Sequence, residues 1–308
     1  MPAERSPEGW TRRYGPWCVH SDVDLAGLLA LDDVAEPHLV LRAGRVPQCT
    51  TRDATCWDDA DDERDAAVVV LRRGDLHVLD FPGDGLRAEL HRGAPHRVVY
   101  DAMDLHDESD LVHLLADQVL PRCLAAWTPS LVLHAAAGVC EGQAWVFVGP
   151  SGRGKSTIAA ALHARGWTVL GDDAIALVLG DTGPRALTLR TGVREVGADE
   201  AKAWRMLEHP PQGEGLPLAG LLTLLPRTGG PLRIERLRGV DAAMALVGSA
   251  FRLDPGDPTR PAGELAVVQH VPAAGVYAVA VPDGQEGCDQ LLAWLEAAAA
   301  RLRDGCSP

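Results

Sequence analysis

One stretch of fourteen residues constrains this chain more than any other. Residues 144–157 are Ala-Trp-Val-Phe-Val-Gly-Pro-Ser-Gly-Arg-Gly-Lys-Ser-Thr, so an apolar run leads directly into the pattern G-x-x-x-x-G-K-[ST]. Residues 156–165 then have helical character, and Gly166 is a typical residue to follow the end of a helix. Strand, glycine-rich loop and helix in this order predict an α/β domain that carries a phosphate-binding loop, or P-loop.

Each residue type in this loop has a chemical reason. Glycines allow backbone conformations that a side chain would forbid, and they let N–H groups close on phosphate oxygens. The helix that follows adds the positive end of its dipole. Lys155 can reach the β- and γ-phosphates of ATP, and the Ser156 hydroxyl is the usual Mg²⁺ ligand. The residues predicted to bind the nucleotide are Gly149, Pro150, Ser151, Gly152, Arg153, Gly154, Lys155, Ser156 and Thr157.

Composition limits the partners and the compartment. The 308 residues are 46% hydrophobic and carry a formal net charge of −14, which suits one or two packed domains and opposes binding to nucleic acid. We find no signal-peptide pattern and no apolar run long enough to span a membrane. The 7 cysteines form no C-x-x-C pair, which favours free thiols over a metal site. These features together predict a soluble cytoplasmic protein.

The chain divides by pattern into three parts. Residues 1–104 form a small β-rich module, 105–130 a linking helix, and 131–308 the catalytic domain. Within the module we predict a strand and hairpin at 40–44, a surface loop at 48–66, a hairpin over 68–81 and a strand at 97–100. Helical spacing covers 110–127, with Asp107 or Ser109 as the cap and Pro121 as a kink. In the catalytic part we predict strands at 131–136, 144–148, 167–170, 174–179, 185–190, 220–225, 232–237, 265–271 and 276–281, and helices at 199–207, 240–251 and 290–302.

A pair of acids follows the strand predicted after the P-loop helix. Asp172 and Asp173 come directly after 167–170 and Gly171, at the strand end expected to lie beside the bound phosphates. Two adjacent carboxylates can divide the work, one accepting a proton from an attacking hydroxyl and the other binding Mg²⁺. The alternative is a structural turn, since Gly-Asp-Asp is a common turn composition. The neighbouring P-loop favours the functional interpretation.

Three segments together resemble a known family. Leu133-His134-Ala135-Ala136-Ala137, the P-loop, and residues 165–173 are similar to the core of the HPr kinase/phosphorylase superfamily, and most similar to its HPr kinase-related branch, which includes the lasso-peptide serine kinases. The resemblance implies a phosphoenolpyruvate-carboxykinase-like core that uses ATP and Mg²⁺ with a serine hydroxyl as acceptor. It also implies Asp172 as the general base, Asp173 as the second acid on the metal with Ser156, and His134 as a catalytic residue.

The chain departs from true HPr kinases in two places. Thr157 stands where those enzymes have a glutamate, and Thr188 stands where they have an acid near Mg²⁺. Both departures weaken the case for HPr as substrate and for the reverse phosphorylase reaction. Arg190 and Arg194 are either phosphate contacts or surface residues. His134 is either a buried histidine of an apolar strand or a residue that orients Asp172 or contacts phosphate.

Three functions remain open at this point. The first is a kinase for a serine of a peptide or small protein, such as a ribosomal peptide precursor, with the N-terminal module as a docking surface. The second is a kinase for a small hydroxylated metabolite. The third is a nucleotide-binding regulator without catalysis, which the two acids argue against. Transport-type ATPases are disfavoured by the missing signature segments. A homo-oligomer is an open alternative, because the resemblance implies hexamers only for true HPr kinases.

Overall fold

The computed structural model describes residues 9–31, 36–48, 55–58, 68–103, 105, 107–196, 202–205, 215–227, 229–256 and 263–303. The chain forms two compact units. Unit 1 comprises Met1–Thr128 and Arg252–Pro261, and unit 2 comprises Pro129–Phe251 and Ala262–Pro308. The predicted three-part division differs in separating 105–128 from the N-terminal module and in leaving 252–261 with the catalytic part. The buried hydroxyl of Tyr14 donates to the carbonyl of Ala116 at 3.0 Å, which ties the helical segment to the module.

Unit 1 is built on one nine-stranded sheet with the order β3-β1-β2-β4-β9-β8-β7-β6-β5. Its strands are β1 (Trp10–Tyr14), β2 (Trp17–Ser21), β3 (Leu29–Ala30), β4 (Leu39–Ala43), β5 (Thr55–Asp58), β6 (Val69–Arg73), β7 (Leu76–Phe81), β8 (Leu86–His91) and β9 (His96–Ala102).

The strand predictions for the module are mostly confirmed. Strands β6 and β7 form the predicted hairpin around Gly74, and β9 covers the predicted strand at 97–100. The hairpin predicted at 40–44 is wrong, because β4 runs parallel to both of its neighbours, β2 and β9. The loop predicted at 48–66 is wrong at β5, which pairs with β6; residues 49–54 and 59–66 lie outside the described residues.

The linking helix is a helix in three parts: α1 (Glu108–Leu114), a π-helical turn (Leu115–Val119) and α2 (Leu120–Trp127). Asp107 caps it as predicted, its carboxylate accepting from the N–H of Ser109 at 2.8 Å. Pro121 is the second residue of α2, separated from the π turn by Leu120. A proline cannot donate to the preceding turn, and the wider π turn takes up that irregularity.

Unit 2 contains a mixed sheet with the order β10-β14-β15-β18-β12-β11-β13, extended from β18 by β20 and then β19. Its strands are β10 (Leu131–Leu133), β11 (Ala135–Cys140), β12 (Gln143–Val148), β13 (Thr168–Gly171), β14 (Ile175–Gly180), β15 (Gly183–Thr188), β18 (Leu216–Leu224), β19 (Arg233–Leu237) and β20 (Val276–Ala280), with β16 (Val193–Val196) and β17 (Lys202–Arg205) as a separate pair. Its helices are α3 (Lys155–Ala164), α4 (Gly239–Val247), α5 (Gly263–Ala274) and α6 (Gly284–Arg303).

Helices cover both faces of this sheet, which gives the mixed α/β architecture that the sequence predicts. Trp145 and Phe147 of β12 pack in one core with residues of α3 and α6, while Val146 and Val148 pack in another with residues of α4 and α5. A strand buried on both faces is apolar throughout, and residues 144–148 are. Among the described residues, no helix combines the length and the apolar character needed to cross a membrane.

Three local predictions for unit 2 are corrected. The helix predicted at 199–207 is wrong where the structure describes it, because 202–205 is the strand β17, paired with β16. The strand predicted at 265–271 is wrong, because this segment lies inside α5. The single strand predicted at 131–136 is two strands, β10 and β11, which separate at His134 and pair with different neighbours.

Among the cysteines whose side chains are described, Cys18, Cys123, Cys140 and Cys288 form no disulfide bond, in agreement with the predicted thiols.

Candidate functional site

The loop after β12 has a backbone that requires glycine. The φ angles are +140° at Gly149, +77° at Gly152 and +95° at Gly154, all in the region that side chains rarely adopt. At Gly149 space is limiting as well, since a Cβ there would lie 2.9 Å from the carbonyl oxygen of Leu224 on β18. The turn therefore depends on the glycine spacing that identified it in the sequence.

Helix α3 starts directly from this loop. Gly154 is its N-cap, and no side chain caps it. Ile158 and Leu162 are buried on the face that packs against the sheet, which fixes the direction of the helix. The unpaired N–H groups of the first turn and the positive end of the dipole consequently lie at the loop, where they can bind an anion.

Lys155 holds its charge inside the loop. The side chain is buried, and its Nζ donates to the carbonyl oxygens of Gly149 at 2.7 Å and Pro150 at 3.2 Å. Burying an ammonium group costs free energy unless it is hydrogen-bonded, and these two carbonyls offset part of that cost. The predicted phosphate-binding lysine thus lies at the centre of the loop.

Asp172 is brought to the same place from the neighbouring segment. It follows β13, is only 2% exposed, and its Oδ1 accepts a hydrogen bond from the Ser156 hydroxyl at 3.1 Å. This contact joins the first turn of α3 to the end of β13, as the order strand, loop, helix, strand, Asp-Asp predicts. Asp172 and Ser156 were predicted as base and metal ligand, and the structure places the two side chains in contact.

Asp173 lies beside His134. Its backbone φ is +100°, one of two positive values among the described non-glycine residues, and its carbonyl accepts from the Ala135 N–H at 3.3 Å. Its Oδ1 lies 4.0 Å from Nε2 of His134, which is too long for a hydrogen bond but allows attraction when the imidazole is protonated. The His134 ring also faces Phe251, with centroids 5.8 Å apart. The contact seen for His134 is therefore with Asp173, whereas the sequence interpretation related it to Asp172 or phosphate.

The oxygen atoms at this site fit a magnesium ion. Mg²⁺ binds oxygen ligands at about 2.1 Å in an octahedron, so two adjacent ligands lie about 3 Å apart. The Ser156 Oγ and Asp172 Oδ1 are separated by 3.1 Å, and both are hard oxygen donors. The predicted metal ligands are Ser156 and Asp173; in the structure Asp172 is the acid in contact with Ser156.

Three other polar residues near the site, Arg190, Thr188 and Arg153, have buried polar groups. The sequence leaves open whether Arg190 contacts phosphate or lies at the surface. In the structure Arg190 is 6% exposed and therefore buried. The side chain of Arg194 lies outside the described residues. The Thr188 hydroxyl is buried and has no hydrogen-bond partner among the described residues. The same holds for Nε of Arg153 in the loop.

Sequence reasoning missed one residue at the loop. An ideal Cβ built on Gly154 would lie 2.9 Å from Nη2 of Arg227, so this guanidinium covers the first residue of the helix. Arg227 follows β18, more than seventy residues after the loop, and no local motif marks it. Only knowledge that β18 lies beside β12 could have identified it.

Comparison with solved structures gives a distant similarity, whereas comparison with sequences gives none. No protein-family model and no curated protein matches the chain. Among solved structures, the chain is similar to the HPr(Ser) kinase/phosphatase from Coxiella burnetii, with 14% sequence identity and a TM-score of 0.30 over 56% of this chain and 98% of that chain. A TM-score this low does not establish a shared fold.

Proposed function

We propose that this chain is an ATP- and Mg²⁺-dependent kinase, a P-loop enzyme of the HPr kinase type, that transfers the γ-phosphate to a serine hydroxyl of a peptide or small protein. The observation that carries the proposal is the contact between Ser156 and Asp172 beside the buried Lys155. A phosphate-binding loop alone supports nucleotide binding. A buried carboxylate held at that loop adds a group that can serve the metal or accept a proton.

The roles follow from position. The loop N–H groups and Lys155 hold the β- and γ-phosphates, and the start of α3 adds its dipole. Ser156 with an acid of the Asp172–Asp173 pair holds Mg²⁺, which when bound neutralises charge on the β- and γ-phosphate oxygens. The acceptor oxygen forms a bond to the γ-phosphorus, the bond from that phosphorus to the β–γ bridging oxygen breaks, ADP leaves, and Asp172 takes the hydroxyl proton.

His134 has a positioning role in this proposal. The His134 side chain is 39% exposed, and its Nε2 lies 4.0 Å from Oδ1 of Asp173. A protonated imidazole at this distance stabilises the ionised form of a carboxylate. In this proposal His134 therefore orients Asp173 toward the metal. The serine acceptor itself rests on the sequence resemblance, and a small hydroxylated metabolite is the alternative that the experiment must separate.

The test is a transfer assay with γ-labelled ATP and Mg²⁺. Acceptors are serine-containing peptides encoded near this gene and, in parallel, a panel of free hydroxy compounds. Wild type is compared with Lys155→Ala and with Arg303→Gln. Arg303 is a matched surface control, because it ends α6 and lies 3.6 Å from Glu141 in the turn at the opposite end of β12.

We expect label on a peptide serine with wild type and Arg303→Gln, and a loss of about 10²–10³-fold with Lys155→Ala. Label only on free compounds would replace the peptide by a metabolite as acceptor. ATP binding without transfer to any acceptor or to water would contradict catalysis and favour a regulator.

A further inference from the structure

The order of the strands brings a second segment to the loop. Strands β12 and β18 are parallel, with Val148 opposite Thr223, so the segments that follow the two strands leave the sheet at the same edge. The close approach of Gly149 to the Leu224 carbonyl is one result. Arg227 lies three residues further along, and its guanidinium lies against Gly154 of the loop.

The guanidinium rests directly on the start of α3. From the Cβ position on Gly154, the distances are 2.9 Å to Nη2, 3.8 Å to Cζ and 3.9 Å to Nε of Arg227. The hydrogen of a glycine leaves room for this approach, and a methyl group would displace the guanidinium.

This is an unfavourable place for a cation unless an anion binds there. The start of a helix carries a positive partial charge, and a like charge within the first turn is therefore destabilising. Lys155 adds a second cation inside the same loop. Within the described ranges, no carboxylate forms an ion pair with Arg227. Three sources of positive charge, the start of α3, Lys155 and Arg227, therefore converge where phosphate is expected.

We propose that Arg227 is a phosphate-binding residue of this site, which holds the terminal phosphates of a nucleoside triphosphate together with Lys155. The inference rests on the proposed function and deepens it. An arginine presents a planar fork that binds two phosphate oxygens together, while a lysine acts as a point charge. The two cations thus have different tasks: Lys155 supplies charge within the loop, and Arg227 fixes the orientation of the outer phosphates.

The experiment measures binding of inorganic tripolyphosphate, which isolates the phosphate contacts from those to base and ribose. The proteins are full-length wild type, Lys155→Ala, Arg227→Gln, Arg227→Lys and Arg303→Gln, each checked by circular dichroism and thermal melting. Calorimetry gives the dissociation constants at one fixed salt concentration, because phosphate contacts depend on salt. Orthophosphate serves as the short probe that occupies one phosphate position only.

For Arg227→Gln we expect about 10–100-fold weaker tripolyphosphate binding, the range for hydrogen bonds to charged groups. Arg227→Lys should recover part of that loss, since charge returns without the fork. The ratio of tripolyphosphate to orthophosphate affinity should fall in Arg227→Gln, which a general loosening of the fold would not produce. Arg303→Gln should bind as wild type.

Two other outcomes separate the two proposals. If wild type binds tripolyphosphate in a Lys155-dependent way and Arg227→Gln binds like Arg303→Gln, the role of Arg227 is overturned and the proposed function stands. If wild type binds no tripolyphosphate, or Lys155→Ala binds as tightly as wild type, the phosphate-binding loop itself is overturned, and the role of Arg227 with it.

Discussion

Buried charges are held differently in the two units. In unit 1, Arg12 is 8% exposed and donates to one carboxylate oxygen of Asp24 from Nε at 3.2 Å and from Nη2 at 2.7 Å. In unit 2, the buried Lys155 donates to two main-chain carbonyls of its own loop. The first arrangement pairs a charge with a carboxylate, and the second fixes a charge at the loop where phosphate is expected. An ion pair of this kind serves the fold, whereas a charge fixed at the loop is placed to attract an anion.

Backbone strain differs in the same way. All positive φ values described for unit 1 belong to glycines, as expected at tight turns. In unit 2 two other residues have positive φ, Glu141 at +51° in a hairpin turn and Asp173 at +100° beside His134. Strain of this kind persists only where the surroundings impose it, and it concentrates at functional sites. The comparison therefore assigns stability to the charges of unit 1 and chemistry to those at the loop of unit 2.

The largest effect expected is on phosphate transfer by Asp172→Asn. The substitution keeps the shape and removes the proton acceptor, so the transfer rate should fall about 10²–10⁴-fold. Asp173→Asn, measured in the same assay, should chiefly raise the Mg²⁺ concentration needed for half-maximal rate. Thermal melting without ligand checks that both variants remain folded.

If Asp172→Asn instead raised the Mg²⁺ requirement and Asp173→Asn instead lowered the transfer rate, the role of Asp172 as base would be contradicted. That outcome is chemically coherent, because Asp172 is the acid in contact with Ser156 and Asp173 the one beside His134. The magnesium titration of each variant distinguishes the assignments.

The local part of this site was predictable, and the distant part was not. Loop, helix α3 and strand β13 follow one another in the chain, so glycine spacing and apolar runs place Lys155 and Asp172 without knowledge of the sheet. Arg227 depends on β18 lying parallel to β12, a pairing that no local pattern encodes. The orientation of His134 toward Asp173 likewise depends on the break between β10 and β11.

The fold predictions failed where local composition was ambiguous. Residues 265–271 begin with four apolar residues, Leu-Ala-Val-Val, which favour a strand, yet Val267, Val268 and Val271 are buried and Leu265 is 62% exposed. Burial at that spacing is helical, and α5 buries one face only. The parallel course of β4 is another result of long-range pairing, since a turn at Gly44 is also compatible with a hairpin.

A smaller effect, on stability alone, is expected in unit 1 for Asp24→Asn. The change leaves the buried guanidinium of Arg12 without a charged partner, and because the Asp24 side chain is 37% exposed the loss is moderated by solvent. We expect the free energy of unfolding to fall by about 1–2 kcal/mol. Urea denaturation measures this, and tripolyphosphate binding should stay at the wild-type value. Weakened phosphate binding at unchanged stability would break the contrast between the units.

Relief of strain at Asp173 should give a stabilising effect of similar or smaller size. Glycine adopts φ of +100° without a steric penalty, so Asp173→Gly should gain about 1 kcal/mol after the entropy cost of glycine, or about 2–4 °C in melting temperature. Transfer activity should fall in the same protein. Glu141→Gly is the matched control in the milder left-handed region and should gain less. A destabilised Asp173→Gly protein would show that the carboxylate contributes more than the strain costs.

The smallest effects are expected at two buried tyrosines, which differ in the hydrogen-bond partners of their hydroxyl groups. In unit 1 the Tyr100 hydroxyl donates to Asp22 at 2.9 Å, while in unit 2 the Tyr277 hydroxyl has no hydrogen-bond partner among the described residues. Burial raises the pKa of both phenols above the ordinary value of about 10, and for Tyr100 the Asp22 contact raises it further.

A raised phenol pKa gives these tyrosines an alkaline pH dependence with a defined sign. Above about pH 10 the unfolded chain loses phenol protons that the folded chain keeps, so stability is present below that pH and falls as the pH rises. Tyr100→Phe and Tyr277→Phe should therefore each flatten the decline measured by urea denaturation between about pH 9.5 and 11. At pH 8 only Tyr100→Phe should be less stable, by about 1 kcal/mol, because it alone removes a hydrogen bond. Equal losses at pH 8 would mean that the Asp22 contact adds no stability to unit 1. The contrast between the two units would then rest on the Arg12–Asp24 pair alone.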